Sequence, residues 1–143
     1  MTNRFAVCLN CMDGRVQLPV IQWIKENYEV DYVDLITEPG MDGVLADLNS
    51  DISDIINKLE ISVDKHESEY IFIAGHYDCL GNPVDNITHK KQLMLAVERI
   101  EKLKGSNKIV GIWISEKFSV QKITELRGIN YENTTMHEYS TSR

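Results

Sequence analysis

The chain has 143 residues, with 43% hydrophobic and 26% charged content, the proportions of a globular protein large enough to bury a core. Its formal net charge is −7 and it carries no Lys/Arg block, which argues against nucleic acid or an anionic membrane as a partner. No apolar run approaches the roughly 20 residues that cross a bilayer. The start leads straight into a strand-like segment rather than an export signal. Three cysteines in such a chain are ligands, catalytic groups or core residues, not a disulfide framework, and the expected location is the cytoplasm.

Phe5–Asn10 reads as a short buried strand. Pro19 suits the first turn of a helix, where its missing N–H costs nothing, and Val20, Ile21, Ile24 and Tyr28 follow at helical spacing; a helix is expected over 18–28. Residues 32–36 form a second strand that breaks at Thr37-Glu38-Pro39-Gly40. A short helix is suggested within 41–49. Ser50 or Asp51 is expected to cap the next helix, striped by Ile52, Ile55, Ile56, Leu59 and Val63. Residues 70–75 are a third strand and 81–83 a loop. A long helix capped by Asn86 or Thr88 turns Leu93, Ala96, Val97, Ile100 and Leu103 inward, and Gly105 suits the left-handed residue after its end. Residues 109–114 are apolar on both faces, as in a strand covered twice. Residues 118–123 alternate like an edge strand, and the polar tail from 130 to 143 reads as loosely ordered. With no repeat or linker, 1–143 is expected to be one domain of α/β class: a mostly parallel sheet of about four strands plus an antiparallel edge strand, with helices on both faces.

Ligands bind such sheets outside the carboxyl ends of the strands. Two chemistry-bearing loops fall there. Cys11-Met12-Asp13-Gly14-Arg15 follows the first strand, and His76-Tyr77-Asp78-Cys79 follows the third. Cys11, His76 and Cys79 can converge on one Zn²⁺, leaving its fourth position for water. Zinc brings bound water from a pKa of about 15.7 to roughly 7. Asp13 could then close the site as a ligand, or pair with Arg15 and orient the resulting hydroxide. Bidentate, charge-assisted geometry favours arginine for that pairing. Leu9, Met12, Val44, Leu45 and Leu80 would line a small apolar pocket for an uncharged electrophile.

Cys-x-Asp-x-Arg followed by Gly-His-x-x-Cys at a later strand end resembles the β-class carbonic anhydrases. The resemblance implies that Cys11, His76 and Cys79 bind zinc and that the catalytic Asp13–Arg15 dyad orients zinc-bound hydroxide for reversible hydration of carbon dioxide to bicarbonate. It also implies a homodimer or higher homo-oligomer. The chain looks like a short, divergent member. The family's N-terminal arm and upstream substrate glutamine have no counterpart, and Gln17 and Gln22 lie on the wrong side of the motif. Thr37–Gly43 replaces the family's loop after the second strand.

Other readings stay open at this point. Cys8-x-x-Cys11 with His76-x-x-Cys79 has the spacing of a closed structural zinc site, although mid-strand Cys8 should point to the opposite face from Cys11. A non-catalytic zinc-binding or sensing protein and a hydrolase of carbonyl sulfide or carbon disulfide are the functional alternatives. Asp78 is expected to bond at a helix start. His66, His89 and His137 are expected in solvent, Trp23 and Trp113 in the core, and Glu38 and Asp42 as turn residues near the site.

Overall fold

The computed structural model describes residues 3–126. Five strands form one sheet in the order β2-β1-β3-β4-β5. They are β1 (Phe5–Cys11), β2 (Tyr32–Glu38), β3 (Tyr70–His76), β4 (Lys108–Ile114) and β5 (Val120–Leu126). The first four run parallel, and β5 closes one edge antiparallel to β4. The α/β expectation holds. Among the described residues no helix is long and apolar enough to cross a membrane.

Alternation along each strand divides the core in two. Val7, Leu9, Ile71 and Ile73 face α2 (Met41–Ala46), α3 (Ser53–Glu60) and α4 (Asn86–Leu103). Ala6, Cys8, Phe72 and Val110 face α1 (Gln17–Tyr28), which buries Val20 and Ile24. Truncating any of the larger fully buried side chains should cost about 2–5 kcal/mol. Both faces of the central strands are therefore covered, which is why β1, β3 and β4 read as continuous apolar runs.

Several boundaries differ from expectation. β2 runs on through Thr37 and Glu38, because these pair with Asn10 and Cys11 of β1. Asp51 accepts the Ser53 N–H, but Ile52 is the residue that precedes α3. After Glu60 the chain continues as a π-helical turn, Ile61–Lys65. The cap of α4 is Asp85, whose Oδ1 accepts the Thr88 N–H at 2.7 Å, not Asn86 or Thr88. Leu103 is exposed. The inward line of α4 passes instead to Lys104, whose Nζ lies 3.1 Å from Glu60 Oε2. Gly105 does not take positive φ; Lys104, at φ −135° and ψ 46°, ends the helix. The edge strand starts two residues late, because residues 115–119 form the turn into it, with Phe118 at φ 61°. The tail expectation and His137 lie outside the described residues.

β1 has β2 on one side and β3 on the other, so the chain reverses its winding direction at β1. The crevice that such a reversal opens at the carboxyl ends is where open α/β sheets bind ligands. Cys11 ends β1 and His76 ends β3.

Candidate functional site

The loop after β1 is tied down by two amides. Asn10, fully buried, accepts the Cys11 N–H on Oδ1 at 2.9 Å and donates from Nδ2 to Val16 O at 3.3 Å. Gln17 donates from Nε2 to the carbonyls of Cys11 (2.7 Å) and Asp13 (2.8 Å). Sequence reasoning gives neither of them a positioning role; the one signal for Asn10 is a polar residue set between the apolar run 5–9 and Cys11. Asp13 caps the short 3₁₀ turn Gly14–Val16 by accepting the Arg15 N–H at 2.9 Å.

That turn brings the Arg15 guanidinium back onto Asp13. Arg15 Nη2 donates to Asp13 Oδ2 at 2.7 Å, and Nε reaches both carboxylate oxygens at 3.1 and 3.2 Å. These bonds, led by the side-chain contact, lower the Asp13 pKa from 3.8 to about 2. The same contact raises that of Arg15. Arg15 also reaches the second loop. Nη2 donates to Asp78 O at 3.1 Å and Nη1 approaches Asp78 Oδ2 at 3.4 Å. Asp78 therefore bonds across to Arg15 rather than at a helix start. Its left-handed backbone, φ 58°, is a conformation Asp tolerates better than most residues.

Cys11, His76 and Cys79 are all buried, and one ligand atom from each lies within 4.8 Å of the others. The Cys11 and Cys79 sulfurs are 3.8 Å apart. Two thiolates each about 2.3 Å from a tetrahedral zinc would lie about 3.8 Å apart. The Tyr77 carbonyl, which can only accept, takes the His76 Nδ1–H at 2.8 Å. With Nδ1 engaged in that bond, Nε2 is the ring atom left to bind a metal, and it is buried and has no hydrogen-bond partner. Burial, and then the neighbouring Cys11, push the Cys79 thiol up to about 11. A divalent cation would remove that cost by neutralising the paired thiolates. The donor set fits zinc.

Cys8 stands outside this group. It is wholly buried on the α1 face, in the same core cluster as Cys11 and Cys79 and not on the opposite face from Cys11 as strand alternation predicts, and desolvation raises its pKa strongly. The expected apolar pocket is not formed by the residues named for it. Leu9 and Leu45 are in the core, whereas Met12 and Leu80 are 58% and 85% exposed. Of the histidines placed in solvent, His66 is 41% exposed and bonded to Asp34 at 2.7 Å. His89 is buried, and its Nδ1 lies 2.6 Å from Asp42 Oδ2. Asp42 is accordingly a core carboxylate rather than a turn residue. Trp113 is buried as expected and Trp23 is partly buried.

A family described as "Putative carbonic anhydrase" matches residues 1–124. No curated protein sequence matches the chain. Among solved structures, β-carbonic anhydrase isoform I of the protozoan Trichomonas vaginalis superposes with a TM-score of 0.58 at 16% identity, over 90% of this chain and 88% of that one. The carbonic anhydrase of Streptococcus mutans gives 0.52 at 18%, over 85% and 82%. A tetrameric β-carbonic anhydrase of the ascomycete Sordaria macrospora gives 0.50 at 11%, over 85% and 81%. At these identities the likeness establishes a shared fold, and the family match establishes descent: the chain belongs to the carbonic anhydrase family and has the β-class fold.

Proposed function

We propose that this chain is a zinc-dependent carbonic anhydrase that interconverts carbon dioxide and bicarbonate. The observation that carries the reading is the convergence of Cys11, His76 and Cys79 at one sheet edge, where Arg15 bonds to both of their loops, at Asp13 two residues after Cys11 and at Asp78 one residue before Cys79. Cys11 and Cys79 would hold the metal through Sγ and His76 through Nε2. Zinc bound there supplies a Lewis acid that makes water a nucleophile near neutral pH.

Asp13 does the aiming. Its carboxylate stays ionised down to about pH 2, so near neutrality it is only an acceptor. A hydrogen bond from the attacking water to Asp13 Oδ1 or Oδ2 fixes the direction of the water's lone pair. Arg15 donates to both oxygens at once, which keeps the acceptor ionised and stationary. In the forward direction the water oxygen bonds to carbon, one C=O pair moves onto oxygen, and bicarbonate and a proton leave.

Stopped-flow hydration of carbon dioxide on zinc-quantified protein tests this. Turnover should rise in proportion to zinc up to one ion per chain. Protein with one zinc per chain and no turnover would support the second reading, a non-catalytic zinc protein. That reading draws on the core placement of Leu9 and Leu45, which leaves the expected substrate pocket without two of its walls. We also take the tetrameric Sordaria relative as the guide to assembly and expect a homo-oligomer.

A further inference from the structure

Behind the two cysteines lies a buried polar cluster that the proposed reaction does not use. Asp42, at the start of α2, is 2% exposed, and His89, in the first turn of α4, is 1% exposed. Asp42 Oδ2 accepts the His89 Nδ1–H at 2.6 Å. Oδ1 accepts the Gly43 N–H at 2.9 Å and an Asn82 Nδ2–H at 3.1 Å. Asn82 donates again to Gln92 Oε1 at 2.7 Å. Both carboxyl oxygens are satisfied, as buried polar atoms require. His89 Nε2 has no hydrogen-bond partner; the ring packs at a tilt against Trp113, centroids 5.5 Å apart.

The cluster and the segment leading into α2 meet the metal loops at three points. Asn82 N–H donates to the Cys79 carbonyl at 3.2 Å, so the residue that binds Asp42 also closes the turn carrying Cys79. Asp42 Oδ2 lies 2.7 Å from where a Cβ on Gly75 would be, directly before His76. Gly40, one residue before α2, donates its N–H to Cys11 Sγ at 3.4 Å, and its own Cβ position lies 2.6 Å from Gly81 O. The loop after β2 is therefore wedged between the loops that carry Cys11 and Cys79, and Asp42–His89 pins that wedge to α4.

We propose that His89 and Asp42 are positioning residues for the metal centre: acting through Asn82 and Gly40, they set the separation of Cys79 from Cys11. The inference rests on the zinc reading of the site. Groups behind metal ligands commonly change affinity about 10–100-fold when removed.

The test is zinc affinity by competition with a chromophoric chelator, together with the thiolate-to-metal absorption of the Co²⁺ form. His89→Leu should weaken zinc at least about tenfold and shift the Co²⁺ bands. His89→Asn, whose amide N–H can take the place of Nδ1–H, should recover most of the affinity. Asn82→Ala keeps the Asp42–His89 pair and serves if His89→Leu does not fold; it should also weaken zinc. A purely structural role predicts lower stability of the metal-free protein with unchanged affinity and unchanged Co²⁺ bands, and that outcome overturns the proposal. If the native chain itself takes up neither ion, the reading of the site fails first and the positioning role falls with it.

Discussion

Asp13 and Asp42 lie at the same edge of the sheet and each holds a basic side chain, but they do so over different reach and in different surroundings. Asp13 and Arg15 are two residues apart, with side chains 20% and 46% exposed. Asp42 and His89 are 47 residues apart and 2% and 1% exposed. An exposed ion pair contributes about 0–1 kcal/mol to folding, because water screens the charges and two side chains lose freedom. A buried pair is different in kind: removing one partner strands the other's polar group, at a cost of about 3–5 kcal/mol. The first pair is thus free to serve chemistry, since the fold scarcely depends on it. The second is bound up with the fold, and through the fold with the placement of the loops that carry Cys11 and Cys79.

The largest effect should come from the buried pair. His89→Leu leaves the Asp42 carboxylate without its shortest hydrogen bond, and urea unfolding of metal-free protein should show a loss of about 3–5 kcal/mol. A loss under about 1 kcal/mol would erase the distinction between the pairs. Asp13→Asn should behave in the opposite way. Stability should stay within about 1 kcal/mol, while carbon dioxide hydration falls about 10²-fold, the usual scale for a group that manages a proton in the transition state. Turnover unchanged at native zinc content would remove Asp13 from the mechanism.

The same contrast explains what could be read before the fold was known. Arg15 pairs with Asp13 inside one turn, so their spacing made the pairing one of the two roles legible for Asp13. Cys11, His76 and Cys79 each close or follow an apolar run, and parallel strands deliver such positions to one edge. The Asp42–His89 pair depends on α4 crossing α2, which no local pattern encodes. One trace was present: His89 lies four residues before Leu93, on the line that continues through Ala96 and Ile100, all of them buried. Helical spacing thus placed it inward, and the polar side chain obscured the pattern. Asn10 was hidden differently, as a polar residue that looked like the end of a strand. Leu103 misled because its apolar character outweighed its angular position, which falls beside the line that Lys104 continues.

Acid should separate the pairs more gently. Arg15 holds the Asp13 pKa near 2, below its ordinary 3.8. A carboxyl whose folded value is lowered stabilises the fold fully above its ordinary value and loses that contribution as pH falls toward the folded one. The stability difference between the native chain and Asp13→Asn should therefore be constant from pH 7 to 5 and shrink between about pH 4 and 2. A difference already shrinking at pH 6, followed by unfolding across a pH series, would place the charge of Asp13 under some control other than Arg15.

The smallest effect concerns the link between the two loops. Asp78→Asn removes one charge from a 3.4 Å contact whose partners are 56% and 46% exposed. Asn tolerates the left-handed backbone at 78 as Asp does, so the change isolates charge from conformation. The backbone carbonyl of residue 78, 3.1 Å from Arg15 Nη2, survives the substitution. Stability should move by less than about 1 kcal/mol and turnover by less than about fivefold. A loss of tenfold or more would mean that Arg15 is placed by two carboxylates rather than one, and that the exposed pair depends on long-range structure as the buried one does.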